Sequence, residues 1–232
     1  MNIFIAHWEP LTERKKYLDD FFEKHSKFKP VYFCNFDKNK LSNKEIDKYH
    51  NGFDQEVLDE SFEYIKWATQ FKNTFKGLKP SEICNFLNHL SIYEYIIENN
   101  IESCLILEDD CLLPENFDYI MTRIINEKPY ECELLFLGAG GTGLSPETYG
   151  VKIKENQSLY KIFASRTVDA YWLTKKTAFK IYSYMFWKRN FQLPIDWELN
   201  AIINNKKIIT YHLFPAIIKQ GSTLNIYKSE VR

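Results

Sequence analysis

No stretch of the 232 residues approaches the ~20 consecutive apolar residues that a membrane-spanning helix needs. The N-terminus, MNIFIAHWEP, lacks a basic leader, and its apolar run is too short for a signal peptide. It reads as a first strand, and the expectation is a cytoplasmic protein. Paired cysteines are missing too. The five, at positions 34, 84, 104, 111 and 132, are odd in number and never spaced C-x-x-C. That argues against a disulfide framework and a zinc site, and suits a reducing compartment. Neither sign of charge dominates: 30 Lys and Arg stand against 31 Asp and Glu, with no long basic run. This argues against duplex DNA or RNA as a principal partner, so no nucleic acid is expected. Repeats, low-complexity tracts and a clear linker are absent as well.

What is present is a globular balance. Hydrophobic residues make up 45% of the chain, with 18 Phe and 15 Tyr, enough for a substantial core. The length suits one large domain. Residues 2–7 predict a strand, and Pro10 and Thr12 open an amphipathic helix to about His25 with Tyr17, Leu18, Phe21 and Phe22 on its apolar face. KPVYFCNF is a second strand. Residues 38–79 read as short helices and loops, with Ser42 as an N-cap. Pro80 and Ser81 start a strong helix to about Asn99. SCLIL is a buried strand, followed by a helix over about 115–126, and CELLFLG is another strand. VKIKE and LYKIFA look like short antiparallel strands. VDAYWLT is a strand, KKTAFKIYSYMFWK a helix and LPIDWELNAIINN a helix. KKIITYHLFP is the last strand, with an irregular tail. Alternating strands and helices predict an α/β class with a mixed, mostly parallel central sheet flanked by helices. Ligands of such sheets bind beyond the carboxyl ends of the strands.

One such end carries three acids: CLILEDDCLLPENF runs from a buried strand into Glu108, Asp109 and Asp110. Adjacent like charges repel by roughly 1 kcal/mol at 4 Å in water, and by more near an interior. On a strand, Glu108 and Asp110 point one way and Asp109 the other. One oxygen-rich site can therefore take Asp110 and Glu108, with Asp109 turned to a neighbour. Hard divalent cations choose such ligands, since Mg²⁺ uses one or two carboxylates and completes its shell with water and phosphate oxygens. The plainer alternative is a solvated acidic turn.

Other candidates also divide between two roles. The GAGGTG loop lacks both the P-loop and the dinucleotide-binding spacing, and reads as a loop or a lid. His89 shares a helix stripe with Glu82 and borders the apolar face, as a structural histidine would. His212, in the last strand, reads as a core histidine or a metal ligand. Asp196 and Glu198 flank a Trp in the first turn of a helix. Acids are favoured there on electrostatic grounds alone, and a general base facing an acceptor is the functional alternative. YSYMFWKRNF mixes aromatics with basic residues, as a helix end or a membrane-surface anchor does.

Taken in order, these pieces resemble glycosyltransferase family 25, the lipooligosaccharide β-galactosyltransferase type. SEICNFLNHLSIYEYI occupies the place of the family's first helix motif, with Glu82, Ile83, Leu87 and His89 matching. CLILEDDCLLPENF matches almost wholly. DAYWLTKKTAFKI supplies Tyr171 and Ala178, LPIDWEL supplies Pro194 and Asp196, and FPAIIKQGS supplies Pro215, Gln220 and Ser222. Arg14 sits where the family often has an arginine. The sequence departs from the pattern at Ser81 and Cys84 (glycines in the family), at Asn85 and Asn88, and at the AHW that ends the first strand. Asp169 stands where small residues are usual.

The resemblance implies a single GT-A-like domain over 1–232, with a donor-binding part to about 140 and an acceptor-binding part from about 141. It implies a UDP-sugar donor, usually UDP-galactose, inversion at the anomeric carbon, and Mn²⁺ or Mg²⁺. By that analogy Asp110 touches the metal, and Glu108 and Asp109 hold the nucleotide sugar; Glu108 and His212 are further candidates for the metal, and His7, Arg14, Glu82 and His89 for the donor. Tyr171 and Gln220 fall to the acceptor, a glycan or glycolipid of the lipooligosaccharide or lipopolysaccharide type. Asp196 is the expected base, with Asp169 and Glu198 as rivals. Such an acceptor implies peripheral association with the cytoplasmic face of the inner membrane. Two other readings stand beside this one: a metal-dependent nucleotidyltransferase or hydrolase, and a non-catalytic module that binds sugar nucleotides.

Overall fold

The structure, a computed structural model, describes residues 1–25, 27–50, 55, 56, 59, 77–138, 150–153, 158–162, 164, 165, 167–188 and 191–229. The GAGGTG loop beyond Gly138, most of 51–76, and Arg189 and Asn190 lie outside these residues.

An eight-stranded sheet forms the middle layer. Its strands are β1 (Asn2–Ala6), β2 (Pro30–Phe33), β3 (Ser103–Glu108), β5 (Leu134–Phe136), β6 (Val151–Lys152), β7 (Leu159–Lys161), β8 (Ala170–Thr174) and β9 (Thr210–Leu213). Their order is β2-β1-β3-β8-β5-β9-β7-β6. The β1–β2, β1–β3 and β5–β9 ladders are parallel. β8 runs antiparallel to both β3 and β5, and the β9-β7-β6 edge is antiparallel. The sheet is therefore mixed, with one parallel group, β2-β1-β3, and a separate parallel pair, β5–β9. Buried on both faces, β1 and β3 read as near-continuous apolar runs, as parallel strands do.

Helices cover both faces. On one side lie α1 (Thr12–Lys24) and α4 (Phe117–Glu127), whose Leu18, Phe22, Phe117 and Met121 pack with Ile3, Ile5, Leu105 and Leu107. On the other lie α3 (Pro80–Glu98), α5 (Lys175–Lys188) and α6 (Ile195–Asn205), whose Phe86, Ile92, Ile181 and Leu199 pack with Phe4, Ile106, Phe136 and Tyr171. α3 begins with Pro at its first turn, and the Glu82 carboxylate accepts from the Lys79 N–H at 2.7 Å. It stops where Asn100 adopts a left-handed φ of 54°, a conformation that Asn tolerates better than most residues. Ser42 caps the short helix α2 (Asn43–Tyr49) in a reciprocal box with Glu45, as its sequence predicts.

The tail corrects the sequence reading. β4 (Cys111–Leu112) and β10 (Lys219–Gln220) pair antiparallel, so the segment after β9 returns to the acidic turn. Two-residue strands whose partner is about a hundred positions away leave no periodic mark in a sequence.

A buried polar chain runs through the α3 face. The Tyr171 hydroxyl lies 2.6 Å from the Tyr93 hydroxyl and 2.7 Å from His89 Nδ1. All three side chains are fully buried. Tyr171→Phe removes the shared partner of two buried polar groups. It should cost roughly 1–3 kcal/mol, read in urea melts as a lower midpoint at unchanged slope. An unaltered midpoint would show that the chain contributes nothing.

Candidate active site

The carboxyl ends of β1 and β3 open into one cavity, lined by residues from Ala6 to Asp110 and again from Thr167 to Ser229. Both halves of the chain thus contribute. Its floor is the acidic turn. Asp109 turns to the α1 side, as strand alternation requires. Its Oδ1 accepts from Arg14 at 2.6 Å, and its Oδ2 accepts from His7 Nδ1–H at 2.9 Å and from the Trp8 N–H at 3.2 Å. Arg14 is buried, and its second amino group donates to the Lys228 carbonyl at 2.5 Å. Its guanidinium also lies over the Tyr227 ring, 5.3 Å from the centroid. Of the residues assigned to the donor, Asp109, His7 and Arg14 thus line the cavity and are tied to one another, while the buried His7 Nε2 has no hydrogen-bond partner.

Glu108 and Asp110 face the opposite side. Glu108 accepts from Asn85 Nδ2 at 2.7 Å, and His89 Nε2 approaches it at 3.7 Å, a distance too long for a hydrogen bond. His89 is wholly buried and does not line the cavity; its Nδ1 lies on the Tyr171 hydroxyl, and its Nε2 has no hydrogen-bond partner. Asp110 accepts from the Ser222 hydroxyl at 2.5 Å, while its buried Oδ1 has no hydrogen-bond partner. Burial, and next the charge on Glu108, push the Asp110 carboxyl up to about 6.

Asp169 belongs to the same group. Leu107 pairs with Ala170, and at the next rung the Glu108 N–H donates to the Asp169 carbonyl at 2.8 Å. The two acids stand across the ladder on one face of the sheet. Asp169 is fully buried. Thr167 donates to its Oδ1, and its Oδ2 has no partner. Burial, joined by the charges on Glu108 and Asp110, pushes it up to about 7.

Asp196 lines the cavity from the first turn of α6, where its Oδ1 accepts from the Trp197 N–H at 3.0 Å. Glu82 and Gln220 line it as well. Three expectations are not met by the placement. Tyr171 is in the core, its hydroxyl spent on Tyr93 and His89, and so is not offered to an acceptor. Glu198 is buried within α6 and does not line the cavity. His212 lies one layer below the acids, paired in register with Phe136, its Nε2 3.4 Å from Ser165 Oγ. Burial lowers it to about 4, keeping the imidazole neutral, and it lies among buried residues away from the cavity lining.

Sequence reasoning missed Asn85 as a donor to Glu108. It also missed Asn88, whose carboxamide accepts from the Phe36 N–H at 3.1 Å and pins the segment after β2 to α3. That segment, with Trp8 and Leu11, forms the apolar end of the cavity. The Trp8 ring is held by its N–H donating to Asp37 at 2.7 Å, with Lys38 3.9 Å from the ring centroid. Both asparagines lie on the cavity-facing stripe of α3, at spacing three, and that stripe was the signal available.

The raised acids set a stability slope. A carboxyl whose folded value exceeds its unfolded one contributes stability that is complete below about pH 4 and is lost as pH rises through the folded value. Metal-free protein should therefore lose stability between about pH 4 and 7 through Asp169. Asp169→Asn should raise the melting temperature at pH 8 by about 3 °C or more and leave it nearly unchanged at pH 4. Equal shifts at both pH values would show that ionisation of the buried Asp169 is not the cause.

Against known proteins, the chain matches the sequence model described as "Glycosyltransferase family 25 (LPS biosynthesis protein)" over residues 1–197. No curated protein matches. Among solved structures, the STIV protein A197 is similar at 12% identity, with a TM-score of 0.37 over 94% of this chain and 83% of that one, too distant to bear on function. The family match spans the α3 stripe, the acidic turn and the first turn of α6, the three elements that meet at the cavity, and on that footing the chain belongs to glycosyltransferase family 25, a family of sugar transferases in lipopolysaccharide biosynthesis.

Proposed function

We propose that the chain is a metal-dependent, inverting transferase that moves galactose from UDP-galactose to a sugar hydroxyl of a lipooligosaccharide- or lipopolysaccharide-type acceptor. One observation carries the reading. A single cavity joins an acidic floor of Glu108 and Asp110, an aromatic end of Trp8 and Phe36, and a separate carboxylate, Asp196. The aromatic end suits a nucleobase, and the acidic floor suits a cation with a diphosphate. The choice of galactose and of acceptor rests on the resemblance of the motifs.

Asp110 and Glu108 would hold the cation. The unpartnered, buried Asp110 Oδ1 is the kind of oxygen that a hard cation takes. Among the described residues no three His, Cys, Asp or Glu form a ready cage, and Mg²⁺ asks the protein for only one or two carboxylates. When bound, Mn²⁺ or Mg²⁺ neutralises the charge that develops on the departing diphosphate.

In the transfer the acceptor oxygen attacks the anomeric carbon from the face opposite the phosphate. The bond from that carbon to the diphosphate oxygen breaks, and its electron pair leaves with UDP. The hydroxyl proton passes to Asp196. Asp196 reaches the cavity from the first turn of α6, where a helix N-terminus favours negative charge at the cost of basicity. Asp196 is favoured over Asp169 and Glu198 because it alone of the three lines the cavity. The Arg14–Asp109–His7 cluster fixes the turn that aims Glu108 and Asp110.

Attachment to the membrane that carries the acceptor is supported by Phe179, Phe186 and Trp187, exposed on α5. No helix among the described residues is long and apolar enough to cross a membrane.

A panel of nucleotide sugars with Mn²⁺ should show UDP-galactose giving the largest thermal stabilisation. Asp196→Asn should keep that stabilisation while turnover falls by about 100-fold or more. Turnover within a few-fold of wild type would remove Asp196 as the base. UDP release that needs no acceptor would point to hydrolysis instead. Trp187→Ala should reduce co-sedimentation with anionic liposomes, and wild-type protein that stays wholly in the supernatant would sink the attachment.

A further inference from the structure

We propose that the carboxylate that joins Asp110 at the cation site is Asp169 in place of Glu108, held where Gly138 leaves room for it. The inference rests on the cation reading above and adds to it a residue outside the acidic triplet. Strand geometry supplies the first argument. Asp169 enters on β8 opposite Glu108 on β3, and Asp110 follows two residues later, so three acids from two chain segments face one side of the sheet.

Their partners supply the second. The groups that donate to them are neutral: Asn85 to Glu108, Ser222 to Asp110 and Thr167 to Asp169. Arg14 is committed to Asp109 on the other face. Two buried oxygens, Asp110 Oδ1 and Asp169 Oδ2, are left without a hydrogen bond. Buried carboxylates are retained when they are paired or coordinate a metal, and an orphaned charge is strongly destabilising. A divalent cation between these oxygens supplies the missing charge and the missing partner together.

Gly138 supplies the third. A Cβ at this position would lie 2.0 Å from Asp169 Oδ2 and 2.4 Å from its carboxyl carbon. Any larger residue would occupy the space of the carboxylate itself, so Gly138 and Asp169 are a matched pair. Asp169 lies beneath Thr167 and Val168, which line the cavity. Reaching the site from below suits a ligand, whereas a base must meet the acceptor in the open cavity.

Mn²⁺ binding, followed by electron paramagnetic resonance on the full chain with and without UDP, tests the assignment independently of turnover. Wild type should bind one Mn²⁺. Asp169→Asn and Asp110→Asn should each weaken binding by about tenfold or more, with circular dichroism unchanged. Gly138→Ala retains every carboxylate but displaces that of Asp169, and should weaken Mn²⁺ binding likewise. If Asp110→Asn loses the ion while Asp169→Asn and Gly138→Ala bind it as wild type does, Asp169 is not a ligand and the cation reading at Asp110 survives. If wild type binds no Mn²⁺ in either condition, both readings fall.

Discussion

The buried pair between Arg14 and Asp109 is the contact on which the site depends. It joins α1 to the turn after β3. Through His7 and the Trp8 N–H it takes in the end of β1, and through the Lys228 carbonyl it takes in the C-terminal segment. A buried ion pair gains little net stability once desolvation is counted, but losing one partner is expensive. Its value here is geometric. With Asp109 held by three donors, the backbone of its neighbours has one orientation, and Glu108 and Asp110 are aimed at the cavity before any ligand arrives.

That arrangement places opposite demands on two faces of one strand end. On the α1 face an acid is compensated by a guanidinium and an imidazole. On the α3 face acids meet only neutral donors, so their charge is left for a ligand to balance. A fold optimised for stability alone would not keep Asp110 and Asp169 buried with open valences. Sites that bind ions or transfer groups retain such stress, because the ligand relieves it.

Much of this was readable from residue order. Alternation along β3 separates Asp109 from its two neighbours, and the structure shows that separation. The α3 stripe marks the helix face that borders the cavity. Tyr171, Glu198 and His212 lie away from the cavity because residue order does not record how deep a side chain lies. The Tyr171 hydroxyl, for one, is taken up by His89 and Tyr93, about eighty positions away. Asn85, which reaches Glu108, and the β4–β10 pair were hidden for the same reason, since neither local propensity nor periodicity carries information across such separations. Asp169 was noticed as an acid in an unusual place, but its partnership with Gly138 needed the fold.

The β4–β10 pair also bears on the order in which the molecule is made. Cys111 and Gln220 pair across more than a hundred intervening residues, and the Ser222 hydroxyl completes the surroundings of Asp110. The β1–β3 ladder closes a loop of similar length, but its strands are both synthesised by Glu108, whereas the β4–β10 pair needs Gln220. On the ribosome, the strands that carry the acids therefore exist long before the segment that covers Asp110. Binding competence arrives at the end of folding, which couples possession of a working site to completion of the whole sheet.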